Sequence, residues 1–183
     1  MLHVIVWTQR LRGLNTMLGE TSGDVLIRDF VVSDMTQTLE LVTQIRSEDD
    51  LVQSAHAQFS AELKRPHDGR IRLVATLKGA VVGTMGAGPG PWPSPHVLWA
   101  DWLVVDADYR QRGIATLLYA EIEAYALRHR RRFLCLDIGN IERERAAFLF
   151  HQRNGFQIVG QIPDYWGTYE HLHIMTKCLR SAG

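Results

Sequence analysis

The sequence predicts an α+β fold, a single domain built on a mixed β-sheet with helices packed against it. Three features carry that expectation. Short β-branched runs of period two alternate with amphipathic stretches of period 3.6. Lys78-Gly79 separates two such runs and signals a tight hairpin. Val104 to Thr116 then passes from an apolar strand through a turn into an amphipathic helix. At 183 residues the chain is long enough for one real core and short for two.

Taken in order, residues 1 to 23 form an extension whose structure is not specified, with Gly19 to Gly23 rich in turn formers, and residues 24 to 183 form the single domain. Asp24 to Phe30 reads as the first strand, and Ser33-Asp34 stand where they would cap the helix that follows. Leu39, Leu41, Val42 and Ile45 make one apolar stripe; Leu51, Val52, Ala55, Phe59 and Leu63 make another beyond a charged break. Two helices are therefore expected before His67. Arg70 to Leu77 and Ala80 to Gly86 are the hairpin strands. Gly86 to Pro95 imitates a nucleotide loop in its glycines, but its prolines forbid an immediate helix, so it reads as a connection near the substrate.

Val97 to Val105 is the next strand, Gly113 to about Arg130 a helix, Phe133 to Ile138 a strand and Arg143 to Arg153 a helix. Asn154-Gly155 supplies a left-handed stop. Phe156 to Gly160 and Tyr169 to Lys177 complete the sheet. Ile114, Leu117, Leu118, Ile122 and Tyr125 give the central helix one apolar face, which holds its first turn rigidly against that sheet.

Charge and cysteine content narrow the partners. Twenty basic and twenty acidic residues balance, so no broad polyanion-binding surface and no nucleic acid partner is expected. Cys135 and Cys178 give neither a disulfide framework nor metal-ligand spacing, and a reducing cytoplasm fits best. Leu2 to Trp7 lacks a basic flank and is too short for a signal-peptide core or a membrane span, so no membrane partner is expected. His171 and His173 share a strand face, but without Cys or carboxylate at matching spacing no metal is expected.

Gly113 carries most of the functional information. A helix N-terminus presents unpaired N–H groups and the positive end of the dipole, and a residue without Cβ lets an anion approach the backbone; Arg110 and Arg112 add charge. The stretch is thus a cradle for a phosphate-bearing cofactor. A Walker loop would need Lys-Ser or Lys-Thr after its last Gly, and a Rossmann fingerprint three glycines in order; neither is present.

Arg110-x-x-Gly113-x-Ala115 instead resembles the acetyl-CoA pyrophosphate loop of the GNAT superfamily of N-acetyltransferases. A second stretch, Glu144 to Phe156, resembles the family helix Asn-x-x-Ala-x-x-Leu-Tyr-x-x-x-Gly-Phe: Ala147, Gly155 and Phe156 match, while Glu144, Phe150 and His151 replace the Asn, Leu and Tyr. The resemblance spans Asp24 to Lys177 in organisation, and Trp99 to Phe156 in specific motifs. It implies a mostly antiparallel twisted sheet of about six to seven strands, three layers deep with about four helices, splayed at its two central strands. It also implies acetyl-CoA as co-substrate, and it is compatible with a homodimer.

By that resemblance, Arg110, Gln111, Arg112, Gly113, Ile114, Ala115 and Thr116 cradle the pyrophosphate, and the backbone of Leu103, Val104 and Val105 pairs with the pantetheine arm. Glu144, Ala147, Phe150 and His151 line the cofactor. The basic run Arg128 to Arg132 opposes the negative helix pole, with contact to the CoA 3′-phosphate as its alternative role.

Asp101 falls where many family members carry a proton-relaying Glu; alternation places it on the face of Leu103 and Val105. A carboxylate of ordinary pKa is a weak base for an ammonium, so Asp101 either relays through water or binds the cationic substrate. Asp137 on the neighbouring strand is its rival. His151 stands where a Tyr protonates the departing thiolate, either as acid or as cofactor lining. Tyr165 and Tyr169 are the other candidate acids; Tyr165 and Trp166, in an aromatic loop, and Trp92 wall the acceptor.

No placed nucleophile argues for a covalent intermediate. The expected activity is direct acetyl transfer to a primary amine of a small molecule or peptide. A CoA-binding sensor with the same cradle is the alternative.

Overall fold

The computed structural model describes residues 25–45, 49–65 and 68–179; the expected extension over residues 1 to 23 lies outside the described residues. The elements are β1 (Val25–Asp29), α1 (Met35–Val42), α2 (Asp49–Lys64), β2 (Ile71–Leu77), β3 (Ala80–Gly88), β4 (Val97–Val105), α3 (Ile114–Arg128), β5 (Phe133–Ile138), α4 (Arg145–Arg153), β6 (Gln157–Gly167) and β7 (Glu170–Cys178), with short 3-10 turns at Val32–Asp34 and Ala107–Tyr109. They form one seven-stranded sheet in the order β1-β2-β3-β4-β5-β7-β6. Every neighbouring pair is antiparallel except β4–β5. A parallel pair needs a crossover, and α3 supplies it.

Helices cover both faces. On one, Ile114, Leu118 and Ile122 of α3 pack on Leu73, Met85, Leu98 and Leu134. On the other, Leu41, Val42 and Phe59 of α1 and α2 pack on Val74 and Val104. The result is the expected three-layer, mixed sheet. No described helix is long and apolar enough to cross a membrane.

The two central strands separate. β4 and β5 pair only through Val97↔Phe133, Leu98↔Leu134 and Trp99↔Cys135, although both continue beyond that point. From Ala100 onward the β5-facing edge of β4 therefore has no strand partner.

A bulge changes the faces along β4. Thr84 opposes Val104 while Gly86 opposes Asp101, so Trp102 and Leu103 together oppose Met85. Trp102 takes φ +49°, a costly conformation for a bulky side chain. Strict alternation would have put Asp101 beside Leu103 and Val105. Instead Asp101 contacts Gln58 of α2, whereas Leu103 and Val105 pack in the α3 core. The extra residue inverts the pattern, which corrects the sequence expectation.

Three local expectations are also corrected. Asp34 does not cap α1 with its side chain; its carboxylate accepts from Arg28 Nη1 and Nη2 (2.6 and 2.8 Å) and from the Val31 N–H. An ion pair held from β1 has outcompeted the local cap. β3 runs on to Gly88, which shortens the proline-rich connection. β6 continues through Tyr165 and Trp166 to Gly167, so the expected aromatic loop belongs to an irregular strand end whose register jumps between Ile162↔Leu172 and Gly167↔Glu170.

Candidate active site at the splayed strands

The turn into α3 is built as the sequence indicated. Gly113 caps α3 with φ +78°, a left-handed conformation that glycine adopts without steric cost. Below it, the buried Ile114 anchors the first turn in the core. The N–H groups of Ile114, Ala115 and Thr116 lie in that first turn, where a helix has no acceptors of its own to offer. The two arginines brace the turn: Arg110 Nε donates to the Val105 carbonyl (3.0 Å) and Arg112 Nη2 to that of Asp108 (3.0 Å). Gln111, exposed, takes φ +62°. The cradle lies beside the unpaired edge of β4 that carries Leu103, Val104 and Val105.

The basic run is elsewhere. Arg128 closes α3 at the end opposite Gly113, and fifteen helical residues span roughly 22 Å. The run therefore stands a helix length away from the turn at Gly113. Arg131 has a different task, donating from Nη1 to the Ser94 carbonyl (2.9 Å) and so tying down the proline-rich connection.

Glu144, at the N-cap of α4, and Ala147 within the helix are exposed and Phe150 is half-buried, but His151 turns inward. His151 Nδ1 shares a hydrogen bond with the Tyr119 hydroxyl (2.8 Å), and its ring packs edge-on to Phe150, Phe156 and Tyr119. Burial pushes its pKa down to about 4, so the ring is neutral at pH 7. Burial, aided by the Glu123 charge, pushes the Tyr119 phenol well above its ordinary range. Neither group is an acid of useful strength near neutrality.

At the opposite side of the splay lies a cavity of about 320 Å³ lined by Gln58, Arg70, the Gly88 to Pro91 segment, Trp99, Asp101 and Asp137. The two carboxylates meet here for a topological reason. Trp99 and Cys135 are paired in register, so the residues two further along each strand lie on the same face, just where the strands part.

Asp101 is held by a polar network from α2 and β2. Its Oδ1 accepts from Arg72 Nη2 (2.6 Å) and its Oδ2 from Gln58 Nε2 (2.7 Å). Arg72 also donates from Nε to Glu62 Oε2 (2.6 Å), and its guanidinium lies 4.0 Å from the centre of the Phe59 ring. Gln58 in turn accepts from Trp102 Nε1 (3.0 Å). Burial opposes the charge of Arg72, but Asp101 and Glu62 more than offset it and leave its pKa above the usual value. Gly86 makes room for this pair, because a Cβ there would collide with Arg72 Nη2 and Asp101 Oδ1. Asp137 differs: its side chain opens to the pocket, yet the protein around it, with the Asp101 charge in support, lifts its carboxyl above the usual carboxylate range.

Asp101 and Asp137 are thus brought together, and the connection containing Trp92 borders them through Trp92 against Trp99 (6.4 Å). Tyr165 and Trp166 pack on each other at 4.7 Å, are about half or more exposed, and do not line the cavity. Tyr169, 79 % exposed, lies at the same hairpin end. His171 Nδ1 accepts from the Asp164 N–H within the hairpin, and His173 Nδ1 bonds the Gly139 carbonyl just beyond β5, so each ring has a structural partner. Gln58, Glu62 and Arg72 escaped the sequence reading. The available signal was a lone arginine inside an apolar strand run, with Gln58 and Glu62 one helical turn apart.

A strand splayed beside a glycine-capped helix, opening on an acidic pocket, can bring an anionic co-substrate up to a cationic acceptor, as a group-transfer enzyme requires. Comparison with known proteins agrees: the model of the acetyltransferase (GNAT) family matches residues 35–156. The chain belongs to that family of acetyltransferases.

Solved structures share the fold at low identity. A GNAT-family protein from Desulfovibrio desulfuricans matches at TM-score 0.79 with 17% identity, covering 85% of this chain and 99% of that one. A ribosomal-protein-alanine N-acetyltransferase from Brucella melitensis matches at 0.68 with 23% identity, over 84% and 99%. An aminoglycoside 6′-N-acetyltransferase complexed with coenzyme A matches at 0.68 with 16% identity, over 86% and 99%. No curated protein matches.

Proposed function

We propose that this chain transfers the acetyl group of acetyl-CoA directly to a primary amine of a small molecule or peptide. The observation that carries this is the joint opening of two features onto one splay: the glycine-capped N-terminus of α3 beside the unpaired edge of β4, and the cavity bearing Asp101 and Asp137. The residues fit the co-substrate. Ile114, Ala115 and Thr116 would donate backbone N–H groups to its pyrophosphate, Gly113 leaves room for close approach, and Leu103 to Val105 would pair with the pantetheine amides. Exposed Glu144 and Ala147 would line its other side.

When bound, acetyl-CoA supplies an activated thioester carbonyl. The residues of the chain bind and orient the amine against it: the carboxylates attract the ammonium, Trp99 offers an aromatic wall, and the Arg131-tied connection closes the cavity. His151 braces α4 against α3 through Tyr119, in place of the thiolate-protonating role expected from its position; a thiol of ordinary pKa near 8.5 leaves without a strong acid. Tyr165, Trp166 and Tyr169 remain acceptor-side candidates at the hairpin tip. Residues 24 to 183 form the catalytic domain in this reading.

The test is isothermal titration with acetyl-CoA, CoA, ATP and NAD, followed by an amine panel with thiol-release detection. Selective binding of acetyl-CoA and release of thiol with a primary amine support the reading. Binding without turnover on any amine overturns it.

A further inference from the structure

The two carboxylates at the splay are not equivalent, and their surroundings divide their tasks. Asp101 has both oxygens engaged, one by a buried guanidinium and one by a fixed amide, at 2.6 and 2.7 Å. Arg72 cannot retreat, since Glu62 holds its other face and the Phe59 ring lies against its plane. With both oxygens engaged Asp101 is fixed in place, and a ligand could reach either oxygen only by displacing one of these donors. Asp137 is oriented into the same cavity from β5 without such a clamp.

We infer that Asp137 is the group that accepts the proton of the acceptor ammonium, while Asp101, held by its two donors, docks it, with Arg72, Glu62 and Gln58 as positioning residues. The inference rests on the acetyltransferase reading above. The proton balance is simple. The ammonium loses one proton to an Asp137 oxygen, and the freed nitrogen lone pair forms the C–N bond to the thioester carbonyl carbon. As the C–S bond breaks, its electron pair stays on sulfur, the second nitrogen proton goes to the thiolate, and Asp137 returns its proton to water.

The charged groups around Asp137 favour this assignment. From β4 it faces Asp101, whose charge is shared with Arg72; across the cavity stands Arg70, held toward Asp68 at 3.4 Å. On β7 its register partner is the apolar Ile174, and the adjacent His173 is bound to the Gly139 carbonyl. Desolvation and the Asp101 charge raise the affinity of Asp137 for a proton, which brings it closer to the range of a working base.

The experiment compares Asp137→Asn and Asp101→Asn in the full chain, using the best amine of the panel, with kcat, acceptor KM and the pH dependence of kcat/KM. Asp137→Asn is expected to lower kcat by about 10²-fold or more and to remove the acidic limb assigned to the base. Asp101→Asn is expected to raise acceptor KM while that limb persists. Glu62→Gln, which loosens the clamp on Arg72, is expected to shift acceptor KM more than kcat. Circular dichroism and unchanged acetyl-CoA affinity verify that each variant is folded. An Asp137→Asn enzyme that keeps the wild-type kcat and pH profile, or an Asp101→Asn enzyme that alone loses the limb, overturns this inference and leaves the acetyltransferase reading intact. Wild-type protein that binds acetyl-CoA and acetylates no amine overturns both.

Discussion

Replacing Gly86 by Ala tests whether the acidic pocket is built on the Arg72–Asp101 pair. The added Cβ would occupy the space now held by Arg72 Nη2 and Asp101 Oδ1, which lie 2.6 Å apart. Arg72 is the rigid partner, its side chain only 2 % exposed, whereas Asp101 at 28 % can yield toward the cavity. Two unit charges 4 Å apart at an effective dielectric of 20 attract by about 4 kcal/mol, and the partial exposure of Asp101 halves that to about 2. Overpacking adds about 1–2 kcal/mol. The expected loss is about 3 kcal/mol, or roughly 6–12 °C in Tm for a domain of this size. Urea denaturation should show a lower midpoint with unchanged slope. In an Asp101→Ala background, where the ion pair is already lost and only the contact with the rigid Arg72 remains, the cost of the same substitution should fall to about the 1–2 kcal/mol of overpacking. An equal cost in both backgrounds, or a cost below about 0.5 kcal/mol in the wild type, would refute the argument.

Gly113→Asp puts a side chain and a negative charge at the left-handed cap of α3; acetyl-CoA affinity by titration should fall about 10²-fold with the fold retained, at a cost near 1–2 kcal/mol. His151 has a folded pKa near 4, below the ordinary 6.5, so the unfolded chain binds the extra proton and stability is lost as pH falls from about 6.5 toward 4, by at most roughly 3 kcal/mol. His151→Phe should flatten that pH dependence of Tm while turnover changes little; an unchanged slope would remove His151 as its source. Arg131→Ala frees the connection held through the Ser94 carbonyl and should raise acceptor KM without altering acetyl-CoA affinity, measured by initial rates and titration.

The aromatic hairpin tip shows why some of the site was hard to read. Tyr165 and Trp166 are expected in a loop beside the acceptor, because aromatic residues flanked by Asp and Gly resemble a loop wall, and Tyr169 is expected to open the last strand, whereas it lies in the turn before β7. The extension of β6 to Gly167 comes from pairing with β7 through a jump in register, and no local pattern announces such a jump. Asp34 repeats the point: its sequence position suits a cap, and only the approach of Arg28 from β1 shows where its carboxylate binds.

What the sequence determined by itself was whatever depends on neighbours in the chain. The limits of β4 and β5, the start of α3 after Gly113 and the left-handed stop at Gly155 (φ +88°) follow from side-chain period and from glycine's freedom at positive φ. The tertiary structure decided whatever depends on register and distant partners. The bulge at Trp102 turned Asp101 away from the face of Leu103, and the parting of β4 from β5 after Trp99 set Asp137 beside it. The clamp on Asp101 comes from Arg72 and Gln58, which are 29 and 43 residues away. A carboxylate's protonation depends on the charges and solvent around it, and folding alone brings those together.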